Sequence, residues 1–327
     1  MADHAEDDFF DGDIFIYRGG RAPRHVTHAL IDESVDEIEE EAFDDCENLL
    51  QVDTHDGIRR IRTCAFSWCT SLRRINLKSA FEIEDWAFND CDNLESVEFG
   101  DMLEKIGNYS FQGCSMKHLK LPSTITIGTR AFCGCKRLTD VELSERLETI
   151  GVAAFKNCER LQRIAIPLKR DLFELTRFLQ RYTQFEYCDQ LTRVDLVGVG
   201  GTHRTVSSLH MESWRTEMIA EINRINQVLP DTDKKEKTDA IRLWIGSVID
   251  KLDHYKAEHN RYVKEGITLL ELALWKAKRG EEEDICGEGR AKKADVDVET
   301  ASIRVQKRIT CGADIVIKNV LPFLQLE

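Results

Sequence analysis

The feature that most restricts what this chain can fold into is a repeat of six landmarks. An Ile is followed four and five residues later by Ala and Phe, and then by Cys, Leu and Val or Ile at steps of three. Ile38, Ala42, Phe43, Cys46, Leu49 and Val52 make the first copy. The second is Ile61, Ala65, Phe66, Cys69, Leu72, Ile75 and Leu77, and the third is Ile83, Ala87, Phe88, Cys91, Leu94, Val97 and Phe99. A fourth copy, Ile106, Ser110, Phe111, Cys114, Met116, Leu119 and Leu121, is one residue short after its Cys. Ile127, Ala131, Phe132, Cys135, Leu138, Val141 and Leu143 form the fifth, and Ile150, Ala154, Phe155, Cys158, Leu161, Ile164 and Ile166 the sixth. A worn seventh keeps Phe185, Cys188, Leu191, Val194 and Leu196. The Phe-to-Phe steps are 23, 22, 23, 21, 23 and 30 residues, the last lengthened by an insertion over Pro167–Arg181.

A period of this length is one supersecondary unit that cannot bury its own apolar face, so the copies must stack as coils of a solenoid. The stretch after each Leu alternates in and out, as in Leu94-Glu-Ser-Val97-Glu-Phe99, which predicts one short strand per coil. At a strand spacing near 4.8 Å, seven coils span about 30–35 Å. The turn that follows Ile carries Phe inward, and Gly107, Gly128 and Gly151 after the Ile fit a bend of positive φ. Val26–Ile31 and Val35 read as a partial first coil, with Arg18–Arg24 as a polar turn leading in.

After Gly198–Gly201 the period becomes helical. Trp214, Met218, Ile222, Ile225 and Leu229 predict a helix over about 205–229. A second, over about 237–278, carries Ile245, Val248, Leu252, Tyr255, His259, Tyr262, Gly266, Leu269 and Ala273 at alternating steps of three and four. The pair reads as an αα-hairpin. Its base is expected to dock on the seventh coil, with the tip near Pro230 projecting outward, because the tether from the last strand looks short. The predicted organisation is therefore an acidic N-terminal segment (1–20), the solenoid (21–200), the hairpin (201–279), a charged linker (280–300) and an apolar segment that packs back (301–327).

The landmarks resemble the BspA-like class of leucine-rich repeats, whose consensus carries the same Ile-Gly, Ala-Phe and Cys positions, over about residues 26–196. The C-terminal third, notably ESWRTEMIAEINRINQVLP, LLELALWKAK and GADIVIKNVLPFLQL, is similar to the helical tails of diatom proteins of this class. The resemblance implies an α/β leucine-rich-repeat solenoid followed by a helical hairpin, and it implies no chemistry.

Seven of the 11 cysteines fall at one repeat position: Cys46, Cys69, Cys91, Cys114, Cys135, Cys158 and Cys188. Stacking predicts a ladder of buried, reduced thiols, since free Cys behaves as a small hydrophobe. Disulfides between neighbouring coils are the alternative, because a spacing near 5 Å lies within the Cα range a disulfide tolerates. Cys133-Gly-Cys135 is an isolated pair without zinc spacing, and His254 and His259 do not share a helix face, so no metal is expected. Cys64, Cys286 and Cys311 fit no pattern, and Cys286 reads as an exposed thiol in a charged loop.

No Walker loop, HExxH, GxSxG or dinucleotide fingerprint is present, so neither an enzyme nor a cofactor is expected. A formal net charge of -14 speaks against nucleic acid as a partner. The acidic start MADHAEDDFFDGD has no apolar core of a secretory signal, and no stretch is long enough to span a bilayer. These readings point to an intracellular, soluble, protein-binding scaffold. An exported adhesion or surface protein, and a structural oligomer built through the hairpin, are the competing classes. Outward strand positions supply the candidate binding face: Arg74, His118, Asp140 and Arg163 in one column, and Asn76, Glu98, Lys120 and Glu142 in the next. Trp68 and Trp86, beside the Phe turns, are candidate aromatic anchors.

Overall fold

The computed structural model describes residues 14–173, 183–197 and 211–287. Residues 1–13, most of the expected insertion, the glycine turn at 198–201, the start expected for the first helix at 205–210, the 288–300 part of the expected linker, and the 301–327 segment with Cys311 lie outside the described residues. By its contacts the chain divides into two units, one holding residues up to Gly200 with Met218–Ile249, the other Gly201–Glu217 with Asp250–Glu327.

In the first unit the strands run β1 Ile14–Tyr17, β2 His28–Ile31, β3 Glu37–Ile38, β4 Gln51–Asp53, β5 Arg60–Ile61, β6 Arg74–Leu77, β7 Glu82–Ile83, β8 Ser96–Phe99, β9 Lys105–Ile106, β10 His118–Lys120, β11 Thr126–Ile127, β12 Asp140–Glu142, β13 Thr149–Ile150, β14 Arg163–Pro167 and β15 Arg193–Val197. All named pairs are parallel, as stacking of like on like requires. The expected strands form ladders β1-β2-β4, β6-β8 and β10-β12-β14-β15. A second sheet, β13-β11-β9-β7-β5-β3, was not expected. Its two-residue strands each end on the Ile landmark, too short for alternation to announce them. β1 also adds a strand ahead of the partial coil the sequence suggested, pairing Ile14 with His28 and Tyr17 with Ile31.

The core is a set of ladders. Phe43, Phe66, Phe88, Phe111, Phe132, Phe155 and Phe185 are all fully buried. Neighbouring rings stack with centroids 5.0–5.8 Å apart, the Phe43–Phe66 and Phe155–Phe185 pairs marking the two extremes. Coil spacing imposes that separation, and offset-stacked rings tolerate it. Each Phe N–H donates to the Ala-position carbonyl of the next coil, as from Phe66 to Ala87 at 2.8 Å and from Phe132 to Ala154 at 2.8 Å. A polar ladder runs beside it: Asn108 N–H donates to Asp85 Oδ1 at 2.7 Å, and Thr129 N–H to Asn108 Oδ1 at 2.8 Å.

Glycine has a different reason from the one expected. Gly128 and Gly151 do not sit at positive φ; a Cβ there would lie 2.6 and 2.4 Å from backbone nitrogens of the preceding coil. Positive φ falls instead two residues before and two after each Phe from Phe43 to Phe155, as at Glu41 and Asp45, Cys64 and Trp68, or Trp86 and Asp90. Each such non-glycine residue carries a steric cost on the order of 1–2 kcal/mol that the inter-coil bonding must offset.

Two helices follow. α1 covers Met211–Val228, a 3-10 turn covers Leu229–Asp231, and α2 covers Lys237–Gly287. Here the structure reverses an expectation: the tip of the hairpin, not its base, docks on coil seven. Thr238 Oγ1 accepts the Phe185 N–H at 3.0 Å, where an eighth coil would have offered a carbonyl. Asn226 Oδ1 accepts the Val194 N–H at 2.7 Å, as the next strand would. The buried Lys237 ammonium donates to Leu191 O at 2.6 Å and Asp189 O at 3.3 Å. The tip wins because it carries the groups that complete the broken ladders, and an orphaned buried amide costs about 1–3 kcal/mol. The tether argument failed on length: residues 198–210, at up to roughly 3.4 Å each, outreach the about 27 Å of α1. Ile225, Leu229, Ile241, Trp244, Ile245 and Val248 bury the apolar faces, and Trp244 Nε1 donates to Glu221 O at 3.0 Å.

In the second unit the Tyr255 hydroxyl donates to the Glu217 carboxylate. The seam expected along α2 is buried at Leu252 and half-buried at Tyr255, but Leu269 is 67% exposed. The expected linker is corrected too: α2 continues to Gly287, and Cys286 lies in a helix rather than a loop. Unbroken i to i+4 bonding carries the helix through its acidic stretch without a Pro to stop it.

Candidate functional site

The expected face lies on the outer side of the first-sheet strands, set there by the two-residue alternation of each strand. Register places His118 beside Asp140, Asp140 beside Arg163, and Arg163 beside Arg193. Lys120, Glu142, Ala165 and Asp195 line up next to them. Arg74, Asn76 and Glu98 belong to the separate β6-β8 pair. Arg74, Glu98, His118 and Lys120 are exposed, while Asn76, Asp140, Glu142 and Arg163 are half-buried. Ala165, an outward position by alternation, is buried, its small side chain lying between Glu142 and Asp195 in register.

Much of the charge on this face is spent internally. Arg163 bridges Asp140 at 3.2 Å and Asp195 at 2.5 Å. Lys120 pairs with Glu142 at 3.2 Å, and Lys78 with Glu98 at 2.7 Å. The second sheet shows the limit of such pairing, where Glu37, Arg60, Glu82 and Lys105 form a continuous ladder with contacts of 2.9, 3.5 and 2.6 Å. Arg74 differs. With Arg73 it lines a shallow groove together with His28, Leu50, Gln51, Glu95 and Ser96. Among the described residues neither arginine has an ion-pair partner, and Leu50 beside them is 42% exposed. The outward strand column that holds Arg74 also takes in Gln51 and Ser96; Leu50, Arg73 and Glu95 precede the strands and fall outside it.

Trp68 and Trp86 are exposed, at 51% and 37%. They do not join the strand columns: each sits at a positive-φ position of the Phe turn, Trp68 after Phe66 and Trp86 before Phe88. Trp86 stacks flat on Tyr109, centroids 4.0 Å apart and 3° from parallel, and the Arg130 guanidinium lies 5.6 Å from the Tyr109 ring centre. Tyr109 and Arg130 occupy the Trp86 repeat position in the next two coils, so the spacing that revealed the Phe ladder also marks this row.

The cysteine column is buried and unpaired. From Cys69 onward each thiol donates to the Phe carbonyl of the preceding coil, as from Cys69 to Phe43 O at 3.1 Å, Cys91 to Phe66 O at 3.0 Å and Cys158 to Phe132 O at 3.2 Å, while Cys46 at the start of the column faces Pro23 O at 3.7 Å. Burial pushes the Cys46 thiol up to about 11 and raises those of Cys69, Cys91, Cys114, Cys135 and Cys158 as well. Such thiols stay protonated and make poor nucleophiles or ligands. Among the described residues no group of three or more His, Cys, Asp or Glu could hold a metal ion. Nor is any described helix long and apolar enough to cross a membrane.

The family profile described as "BspA type Leucine rich repeat region" matches in six copies, over residues 24–126 and 78–192. The C-terminal third lies beyond that match, and nothing found supports its likeness to diatom tails. Among solved structures, the chain is similar to a leucine-rich repeat protein from Bacteroides ovatus at 21% identity, with a TM-score of 0.33, over 53% of this chain and 61% of that one. It is similar to the T. pallidum Leucine Rich Repeat protein at 24% identity, with a TM-score of 0.39, over 47% of this chain and 73% of that one. A leucine rich cell surface protein from Faecalibacterium prausnitzii matches at 20% identity, with a TM-score of 0.34, over 55% of this chain and 63% of that one. The chain thus spans under two thirds of the Bacteroides and Faecalibacterium chains. No curated protein matches it.

Proposed function

Because this chain belongs to the BspA-type leucine-rich repeat family, we propose that it is a non-enzymatic scaffold that binds a protein partner through the outer face of its first sheet. The observation that carries this reading is the groove at Arg73 and Arg74. Two arginines without ion-pair partners among the described residues stand beside the exposed Leu50, whereas the second-sheet column neutralises itself. Arginine beside apolar surface is a common composition for the anchors of protein interfaces. The partner it fits offers carboxylates next to an apolar side chain. Lys120, Glu142, His118, Asp140 and Arg163, with Asn76 and Glu98, then form the mixed-charge flank that sets register rather than affinity. Trp68 and Trp86 belong to a different side of each coil and serve as a second, weaker contact row.

A protein partner is favoured over nucleic acid by the net charge of -14. An intracellular setting is favoured by the buried thiol column, whose sulfurs from Cys69 to Cys158 donate to Phe carbonyls. The test is capture from the native cell extract on full-length protein, followed by affinity measurement with the captured protein. Arg73→Glu with Arg74→Glu is expected to weaken binding at least tenfold, and Lys105→Glu on the second sheet to leave it unchanged. Equal loss from both variants, or none from the arginine pair, sinks the reading.

A further inference from the structure

Three rows of positions run along the solenoid where the first-sheet strands begin: the residue before each Leu landmark (Met116 in coil four), the residue after it, and the first strand residue. Over the seven coils these rows hold seven Lys and Arg residues, from Arg73 to Arg193, and two acids, Glu95 and Asp140. Both acids are already occupied. Arg137 reaches back two coils to pair with Glu95, and Arg163 pairs with Asp140 at 3.2 Å. Arg163 and Arg193 are also tied to Asp195. The Arg137 contact brings the row before the landmark against the row after it, as does Gln162 on Gln190 at 3.4 Å. Left over are Arg73 and Arg74 in coil two, Lys117 in coil four and Arg160 in coil six. All four are exposed and have no ion-pair partner among the described residues. In a chain of net charge -14, this is a strip of uncompensated positive charge.

The spacing of the strip selects the shape of its ligand. Cations in every second coil are about 10 Å apart, two strand spacings. A polyproline II chain advances 3.1 Å per residue with three residues per turn, so every third side chain faces the same way, about 9 Å on. A β-strand turns every third side chain to its opposite face. An α-helix repeats its side near this spacing only at every seventh residue, and its diameter of about 10–12 Å overhangs the strip. The strip is narrow, because acidic positions border it: Glu47, Asp92 and Glu159 ahead of it, Asp53, Glu98 and Glu142 beyond it. A duplex or other broad polyanion would meet those borders, whereas a single extended chain fits between them. Leu50, 42% exposed, shares the groove of Arg73 and Arg74 from coil one and supplies an apolar seat at that end.

We propose that this strip binds an acidic peptide segment in polyproline II form that runs along the solenoid axis. Its carboxylates, three residues apart, meet Arg73 and Arg74, then Lys117, then Arg160, and an apolar residue ahead of them rests on Leu50. The inference rests on the first-sheet face being a protein-binding surface and narrows the chemistry of its partner. The probes are two synthetic peptides of one composition, titrated calorimetrically into the full-length protein: Leu-Pro-Glu-Pro-Pro-Glu-Pro-Pro-Glu, and Leu-Pro-Pro-Pro-Pro-Pro-Glu-Glu-Glu. The spaced peptide is expected to bind at least tenfold tighter than the clustered one, with affinity falling as salt rises. Lys117→Glu with Arg160→Glu should abolish that preference, and Lys105→Glu should preserve it. Unaltered coil amide exchange serves as the folding control for these exposed positions. Equal binding of the two peptides, binding of neither, or a preference that survives in the Lys117/Arg160 variant overturns the proposal. So does a single-stranded oligodeoxynucleotide that binds as tightly as the spaced peptide, since the strip then reads phosphate. The captured partner separates this inference from the reading beneath it. Loss of its binding with Arg73→Glu and Arg74→Glu, but not with Lys117→Glu and Arg160→Glu, overturns the strip and leaves the face standing; no loss from either pair overturns both.

Discussion

The coils and the helices of this protein hold together by different rules. In the coils each residue is secured by its own equivalent one period away: Phe on Phe, thiol on carbonyl, amide on carbonyl. In the helices a residue is secured by neighbours three or four positions along and by whatever surface the helix meets. The first rule repeats its evidence in every coil, so a register read from one copy is checked by the next. The second rule says which face is apolar and leaves open what that face will meet.

The largest expected difference between the regions is in alkali. The thiols of Cys46, Cys69, Cys91, Cys114, Cys135 and Cys158 are raised by burial, so folding favours their protonated form. Their contribution is fully present below the unfolded thiol value near 8.5 and is lost as pH climbs toward the folded values, about 11 for Cys46. Six such groups together remove roughly 8 kcal/mol per pH unit in that window, comparable to the stability of a typical domain. Lys237 acts in the opposite sense, because burial lowers its value, but it is one group against six. Coil amides should therefore lose exchange protection between about pH 9 and 11. Replacing Cys91 and Cys114 by Ala should move the transition upward. A transition unmoved by those substitutions would separate the ladder from the stability of the coils.

Next in size is the aromatic ladder. Phe111→Ala should cost about 3–5 kcal/mol in denaturant unfolding, as cavity formation in a packed core does. Coupling between coils is nearest-neighbour, so amides of the coils holding Phe88 and Phe132 should lose protection first. Uniform loss over the whole chain, α2 included, would erase the proposed distinction between the two regions.

How much of this was legible in the sequence follows the same division. The burial of Phe43 through Phe155, the parallel stacking and the strand columns were all readable, because six copies vote on each position. The second sheet was missed, since a strand such as Arg60–Ile61 is too short to alternate. The glycine column was placed correctly and misread, because Gly128 answers to the closeness of Gly107 and Asn108 in the preceding coil and not to its own φ. The docking tip was read backwards. Thr238, Asn226 and Lys237 are ordinary polar residues in sequence, and their role exists only where a ladder ends. The candidate face shows the same limit: Arg74 was visible as an outward strand position, but its freedom from ion pairing and its groove with His28 and Leu50 were not.

The cap gives the intermediate effect. Thr238→Val removes the acceptor for the buried Phe185 N–H and should cost about 1–3 kcal/mol, with coil seven opening ahead of coil three. Native-state hydrogen exchange resolves the order. Equal opening of both coils would show that the helical tip does not complete the solenoid but merely rests on it.

The smallest effect separates the two exposed tryptophans. Both occupy positive φ, at 58° for Trp68 and 61° for Trp86, so a glycine at either position relieves backbone strain. That relief, about 1 kcal/mol, is largely cancelled by the greater freedom of glycine in the unfolded chain. What remains is the side chain's own contribution. Trp86 has the flat stack on Tyr109, worth about 0.5–1.5 kcal/mol, while among the described residues no ring stacks on the half-exposed Trp68. Trp86→Gly should then destabilise by about the value of that stack. Trp68→Gly should fall within about 0.5 kcal/mol of the unsubstituted protein. Thermal or denaturant unfolding of the two variants side by side decides it. If Trp68→Gly is the more costly, its ring is part of the fold, and the case for it as an anchor on the turn side is lost. If it is neutral, any loss of partner affinity it causes reports a contact made by the ring itself.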